Sequence, residues 1–509
     1  MLTLLASDIS ADLAQAVSSA FAAGTLPSCL KESTTLALRK EGKKDYSLPG
    51  SYRPIALENA LAKVVEKILA NRISEAAETH NLLPWNQMGA RKDRSTLSAI
   101  GLLTTCVQTA WKAKPGCTVS MLSLDLAGAF DMVSHSRLLD VLTRKGLPQW
   151  LVSIIASFLQ ARRTRLVYTG YESSWINVQS GIPQGSPLSP ILFLFFISGL
   201  LEQFSTLNQG VLGFGFVDDT NLIAVGPSAA DNCQRLSRAH DQCKDWAQSH
   251  GAVFAPDKYQ LIHFTRRRRH AAEDLASTIN IDGHQIALEK KAIRVLGVWL
   301  DPKLTWTEHI THAARKGAAA SDAAARLATS TWGPSMRHTR LLYTAIARPT
   351  LCYGIQEWGI GPKGNSIPSA TINPLVKVQN RCLRQITGAY KRTSRALLER
   401  ETRIPPLSLY SDVLINQALV KTRRHDVEKH IARSADAVWA HMHPARTPPQ
   451  RPPTHRELAR QLALTRCQNE REKWARARPP APHRRRRPPK EPDDAALATR
   501  WCHAVWQTQ

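Results

Sequence analysis

Apolar residues recur at helical spacing over Ala60–Ala77, where Leu61, Val64, Val65, Ile68, Leu69 and Ile73 share one side, and this predicts an amphipathic helix. Val119–Leu126 reads VSMLSLDL, a short and largely apolar run. It suits a central strand that carries one polar group, Asp125, to its end. Ser136–Thr143 begins another helix, with Leu138, Leu139 and Leu142 on one side. The longest apolar run, Ile191–Leu201, falls short of the roughly 20 residues that span a bilayer and reads as a buried helix. Val211–Val225 reads as two short strands around Asp218-Asp219, a hairpin pattern. From Ile310 onward Ala-rich helical stretches dominate, and no internal repeat is visible.

Composition changes this picture near residue 435. Residues 441–490 hold 10 Pro, 14 Lys plus Arg and only three acids, Glu457, Glu470 and Glu472. Such a segment is expected to bury little apolar surface and to be extended or partly disordered. Within it, Arg484–Arg487 reads either as a solvated linker or as a nucleic-acid or nuclear-import patch. The whole chain of 509 residues carries 67 Lys plus Arg against 41 Asp plus Glu, a formal charge of +26, which favours a polyanionic partner, nucleic acid first. Nine cysteines are scattered without a C-x-x-C pair, so neither a disulfide framework nor a zinc finger is indicated and a reducing compartment fits. The first residues lack a basic signal-like region and carry Asp8 and Asp12. The expected location is inside the cell, in the nucleus or a cytoplasmic ribonucleoprotein with the mitochondrion as the further alternative, not secreted and with no membrane partner.

The candidate chemistry lies in carboxylates. Two adjacent acids at a hairpin tip can be a plain turn. Here the flanks, Gly213, Phe214, Phe216 and Val217 on one side and Leu222, Ile223 and Val225 on the other, look buried, so the turn would hold Asp218 and Asp219 rigidly at a cost in repulsion. A divalent cation would offset it. If the strand that ends at Asp125 lies beside this hairpin, Asp125, Asp218 and Asp219 converge. Three hard oxygen ligands without His or Cys suit Mg²⁺ or Mn²⁺, and two such ions about 4 Å apart can serve an in-line phosphoryl displacement. Asp131, six residues on, is expected to anchor the following helix.

Six segments in order carry a resemblance: YRPIALENALAKVVEKIL (52–69), LSLDLAGAFDMVSH (122–135), SGIPQGSPLSPILF (180–193), GFVDD (215–219), FAPDKYQLIHF (254–264) and LGVWLDPKLTWTEHI (296–310). Together they resemble the reverse transcriptases of non-LTR (LINE-type) retrotransposons. YTAIARPTLCYGIQEW (343–358) and QNRCLRQITGAYKRTSRALLERETRIPPL (379–407) are similar to the thumb and post-thumb region of the Tad-like and Jockey-like branches. The resemblance implies an α+β right-hand polymerase fold. Fingers with an N-terminal extension would occupy residues 1–120 and a palm with an antiparallel sheet 121–310. A helical thumb and post-thumb region would occupy 311–435, and a basic tail 436–509. It implies an RNA-directed DNA polymerase that uses Mg²⁺, with Mn²⁺ as the alternative, and that takes an RNA template, a DNA primer and dNTPs.

Carried over by motif, Asp125, Asp218 and Asp219 match the metal-binding aspartates. Phe130 matches the bulky residue that excludes a ribose 2′-hydroxyl, although a core Phe would look the same. Gln184 and Gly185 match the loop lining the incoming nucleotide, where Gly permits close backbone approach. Lys40 and Arg53, in LRKEGKKDYSLPGSYRPI (38–55), match the positions that hold the β- and γ-phosphates. Lys258 matches the lysine held to protonate the departing pyrophosphate. MGARKDRST (88–96) resembles a template-side segment with Arg91 and Arg94 as phosphate contacts, with Lys92-Asp93 replacing the Pro-Gly of that pattern. Leu296 and Gly297 open the primer-grip segment. Arg266, Arg267, Arg268 and Arg269 follow the lysine segment and read as phosphate contacts. FVDD departs from the family's usual FADD or YADD by Val217. No endonuclease, ribonuclease H or Cys/His knuckle pattern is seen, so the chain resembles the polymerase core of a larger element or a truncated open reading frame. A non-catalytic binding relic and an intron maturase-like protein are the rival readings. The intact acids argue against the first, and the thumb segments against the second.

Overall fold

The computed structural model describes residues 6–266, 276–326, 333–361, 363–443 and 449–476. After α1 (Ala6–Ala23), strands β1 (Glu32–Arg39) and β2 (Tyr52–Glu58) pair antiparallel, with Arg39 opposite Tyr52 at the loop end. The expected first helix is α2 (Ala60–Thr79), started by Asn59, whose side chain accepts from the backbone N–H of Leu61. Its buried face is displaced from the expected stripe. Val65, Leu69 and Ile73 are buried as expected, but Leu61 and Val64 are exposed and Glu66 takes a buried place.

Helix α3 (Thr96–Ala113) is buried along most of its length and leads into β3 (Thr118–Leu124). Then come α4 (His135–Arg144), α5 (Gln149–Leu159), β4 (Arg162–Tyr168), β5 (Tyr171–Glu172), β6 (Ile176–Val178) and α6 (Ser189–Glu202), the apolar run seen in the sequence. β4 returns to lie parallel to β1, which makes a five-stranded sheet ordered β2-β1-β4-β5 with β6 on β4. A second set follows: β7 (Val211–Phe216), β8 (Asp219–Gly226), α7 (Ala229–His250), β9 (Gln260–Phe264), β10 (Asn280–Ile281), β11 (His284–Gln285) and β12 (Ala287–Leu288). The central sheet is ordered β12-β9-β3-β8-β7.

This sheet is apolar on both faces. Val119, Met121, Ile223, Val225, Ile262 and Phe264 join a core with α3 and the C-terminal helices. Leu122, Leu124, Leu222, Ala224 and Leu261 join a second core built on α2, α4, α5, α6 and α7. Burial on both sides explains why β3 and β8 read as nearly continuous apolar runs rather than as alternation. A short hairpin, β13 (Ile293–Val295) and β14 (Val298–Leu300), hands the chain to the helices. These are α8 (Thr307–Ala325), α9 (Met336–Leu342), α10 (Arg348–Leu351), α11 (Ile355–Trp358), α12 (Ser369–Thr387), α13 (Arg395–Thr402), α14 (Leu407–Thr422), α15 (Asp426–Met442) and α16 (His455–Arg476). The mixed sheet, the central sheet, antiparallel except where β12 runs beside β9, and the helical half are the parts to which the expectation of fingers, palm and thumb refers.

The tail expectation needs correcting. Residues 455–476 form α16, whose Ala459, Ala463 and Cys467 are buried four residues apart. Arg456 is 6% exposed and donates to Glu357 of α11 and, at 2.7 Å, to Glu428 of α15, which also accepts from Arg460 at 2.7 Å. Gly101 of α3 leaves the room that the Arg456 guanidinium fills. Arg484–Arg487 lie outside the described residues. Among the described residues, no helix is long and apolar enough to cross a membrane.

Candidate active site

Register brings the three acids together. Leu124 of β3 pairs with Thr220 of β8, so Asp125, one residue on, emerges beside Asp219, one residue back. Phe216 pairs with Asp219, which leaves Val217 and Asp218 as the two turn residues. The turn is thus one residue earlier than the Asp218-Asp219 turn read from the sequence. Val217 has φ 60°, the left-handed region that costs a β-branched residue about 1–2 kcal/mol.

A segment without periodicity holds that strained turn. Gln87 accepts from the Val217 N–H at 3.2 Å and donates its amide to the Val217 carbonyl at 3.3 Å. Met88 N donates to Gly215 O, and Asn86 donates to the carbonyls of Leu201 and Gly213. A Cβ on Gly89 would stand 2.5 Å from Val217 N, so only glycine lets this strap lie against the turn. Asn86, Gln87 and Gly89 are site-building residues that the sequence reading missed.

Asp218 and Asp219 open to the cleft, yet the surrounding protein and the neighbouring charges raise both pKa values. Asp219 is pushed up to about 6, by loss of water first and then by Asp218 and Asp125. Asp218 is raised by the same desolvation and by Asp125, while Arg53 pulls it down. The three carboxylates therefore feel one another. Lys258 Nζ lies 2.7 Å from Asp125 Oδ2. Among the described residues, no three His, Cys, Asp or Glu side chains are placed, as they stand, so that they could hold a metal ion. The donor set still fits hard divalent ions: three oxygen ligands at one sheet end, with a concentration of negative charge that one ammonium and one guanidinium only partly offset.

The loop at 180–187 is stitched to β2 and to the segment between β3 and α4. Ile182 N donates to Phe130 O at 2.8 Å, Gly181 N to Val133 O at 3.0 Å, and Ala56 N of β2 to Gln184 O at 2.7 Å. Gly185 has φ 128°, and a Cβ there would stand 2.5 Å from Ala56 O. The close backbone approach expected of this glycine is to β2. Gln184 Nε2 donates to both oxygens of Asp131 at 3.1 Å. Asp131 therefore holds Gln184 and does not anchor α4, whose cap position is Ser134. Burial raises the pKa of Asp131, with Gln184 and then Lys40 pulling the other way, and Lys40 Nζ donates to Gly50 O. The Phe130 ring stacks on Phe193 at 5.0 Å and is half-buried, so it packs and also faces the cleft.

A buried acid pair backs this loop. Ser186 Oγ donates to Glu66, and the covered Glu58 pairs with Arg162 at 2.5 Å. One guanidinium thus faces two carboxyls, and burial, then Glu58, push Glu66 up to about 8. A carboxyl raised on folding contributes stability that is complete below its ordinary pKa and is lost as pH rises through the folded value. Stability should therefore fall between about pH 4.5 and 8 in wild type, and Glu66→Gln should flatten that fall. Urea midpoints across this range check it, and parallel curves for both proteins would clear Glu66 of the effect.

Three phosphate contacts expected from the sequence do other work. Arg91 is committed to Glu78 through bonds of 2.7 and 2.9 Å and to the carbonyl of Pro84, with its side chain 2% exposed. Arg94 donates to Trp85 O, and burial followed by Arg91 lowers its pKa to about 10. Arg266 stacks over Trp111 with 4.4 Å to the ring centroid. It follows β9, whose Phe264 pairs with Val119, so it sits at the end of the sheet away from Asp125. Arg267, Arg268 and Arg269 lie outside the described residues. Leu296 and Gly297 form the β13–β14 turn, where Tyr353 OH donates to Leu296 O at 2.9 Å.

Residues 38–300 match the family model described as Reverse transcriptase (RNA-dependent DNA polymerase). The RNA-directed DNA polymerase from mobile element jockey of Drosophila melanogaster is 27% identical over 395 residues, 75% of this chain and 40% of that protein. The probable RNA-directed DNA polymerase from transposon X-element of the same fly is 26% identical over 84% of this chain and 45% of that protein. The Pol polyprotein from element R2 of Popillia japonica is 32% identical over 193 residues, 38% of this chain and 26% of that protein. The chain thus spans less than half the length of these relatives. A telomerase from Candida tropicalis, solved with a fragment of telomeric RNA, aligns over 84% of this chain and 68% of its own at a TM-score of 0.41 and 11% identity.

Proposed function

Since the chain belongs to the reverse transcriptase (RNA-dependent DNA polymerase) family, we propose that it extends a primer 3′-hydroxyl with deoxynucleoside triphosphates on an RNA template as the polymerase of a non-LTR retrotransposon. The observation that carries this reading is the register that sets Asp125 beside Asp219, with Asp218 in the braced turn between β7 and β8. These three residues would hold divalent ions, Mg²⁺ or Mn²⁺. Bound there, the ions supply the positive charge that favours an ionised attacking hydroxyl and a charged leaving pyrophosphate.

The remaining roles fall to the chain's own side chains. Arg53, whose charge reaches Asp218, and Lys40, whose charge reaches Asp131, belong to the β1–β2 hairpin and bind the triphosphate oxygens, the guanidinium by a two-point contact and the ammonium as a point charge. Lys258 carries a proton at Nζ within reach of the site and delivers it to the pyrophosphate oxygen as the bond breaks. The stitched 180–187 loop keeps Gln184 and the backbone at Gly185 still against the incoming nucleotide. Phe130, backed by Phe193, presents a ring edge that leaves no room for a 2′-hydroxyl. Primer extension on an RNA template with deoxy- or ribonucleotides tests the reading. Phe130→Val should raise ribonucleotide use relative to deoxyribonucleotide use by about tenfold or more, a change of about 1.4 kcal/mol in discrimination. An unchanged ratio would leave Phe130 a packing residue only.

A further inference from the structure

One loop of the thumb is built to face water. Tyr390 lies between α12 and α13 and is 88% exposed, while Tyr171 and Leu341, also among the exposed large side chains, reach 61% and 60%. Single exposed apolar residues are ordinary. Rigid support for one is not. α12 stops at Gly388, whose φ of 66° turns the chain out of the helix. Thr393 N closes a turn onto Tyr390 O at 3.0 Å. Arg384 straps the loop from below, donating to the carbonyls of Lys391 at 3.2 Å, Thr393 at 3.3 Å and Asn380 at 3.0 Å. Two of these bonds, to Lys391 and Thr393, reach the loop from a charged donor and hold its backbone in a shape that keeps the phenol ring in solvent.

Charge around the ring identifies what it faces. Residues 388–397 read GAYKRTSRAL, with Lys391, Arg392 and Arg395 and no acid. Arg395 lies 3.6 Å from Glu399. Among the described residues, no ion pair engages Lys391 or Arg392, and both are exposed. Lysine is depleted at the centres of protein–protein interfaces, whereas an aromatic ring flanked by cations is the recurrent platform for an unpaired base and its phosphates. A duplex offers base faces only at its ends, so the ring suits single strands. The position fits as well. Ser321, near the end of α8, donates to Gln385, near the end of α12, so the loop lies at the far end of the thumb from the β14–α8 junction.

We propose that the 388–393 loop is a docking site for single-stranded nucleic acid, in which Tyr390 stacks on an unpaired base and Lys391 and Arg392 hold the adjoining phosphates. This rests on the polymerase reading only for the class of partner. It is tested on the full chain by equilibrium binding to a labelled, unstructured RNA oligonucleotide, to DNA of the same sequence and to the blunt duplex. Tyr390→Ala should weaken single-strand binding about tenfold, leave duplex binding within about twofold, and keep the slope of log affinity against log salt. Tyr390→Trp should restore the affinity. Lys391→Ala with Arg392→Ala should instead lower that slope by about 1.4, two phosphates at about 0.7 each. A loss on RNA alone assigns the site to RNA, and equal losses on RNA and DNA assign it to any unpaired strand. Single-strand binding by Tyr390→Ala within about twofold of wild type, or equal losses on single strand and duplex, would overturn the proposal. Wild-type protein that fails in primer extension would count against the polymerase reading alone, because the three binding arms need no catalysis.

Discussion

Arg456→Ala is expected to lower the unfolding free energy by about 3–5 kcal/mol. The guanidinium sits among α3, α11, α15 and α16, bonded to Glu357 and Glu428. Its removal strands Glu357 in a site that excludes water. Burial already pushes that carboxyl up to about 7, even with Arg456 beside it. Glu428 suffers less because Arg460 remains, and the two guanidiniums hold its pKa below the ordinary value. The variant also opens space beneath Gly101. A double change, Arg456→Met with Glu357→Leu, removes the stranded charge and should recover much of the loss, since an apolar replacement of a buried pair is often close to neutral. Denaturant unfolding of the full chain measures both. A single variant within about 1 kcal/mol of wild type would show that α16 is not locked to the thumb in this way.

That helix also shows where sequence reading stops. The stretch around it is rich in Pro and Arg, and average composition hid the stripe of Ala459, Ala463 and Cys467 at four-residue spacing. The palm was far more legible. β3 and β8 are buried on both faces, so their apolar runs stand out, the first ending and the second beginning at a carboxylate. Arginine roles were not legible, because a guanidinium suits a phosphate, a carboxylate or a carbonyl equally well. Only the fold decides that Arg91 meets Glu78, thirteen residues upstream. Arg266 is close to Lys258 in sequence, but an extended strand advances about 3.3 Å per residue, so β9 and the two residues after it carry the arginine roughly 20 Å away. Asn86 and Gln87 gave no signal. Two buried amides in an irregular segment have no periodicity to betray them, and their task of holding Val217 in a left-handed turn exists only in three dimensions.

The central claim is that Asp125, Asp218 and Asp219 make one site for templated DNA synthesis. Affinity for nucleic acid should come from basic side chains on phosphates and from stacking, because counterion release dominates such binding. In the proposed function the acids contribute repulsion to that binding and serve the chemical step. Asp218→Ala should therefore bind a primer annealed to an RNA template as well as wild type or slightly better. It should extend that primer at least about a thousandfold more slowly, which corresponds to about 4 kcal/mol of lost transition-state stabilisation. The direct measurement is single-turnover primer extension with Mg²⁺ and deoxynucleotides, wild type and Asp218→Ala side by side at saturating template–primer. Full extension by wild type with retained binding and lost synthesis in the variant is the predicted result. Equal extension by the two proteins would contradict the account.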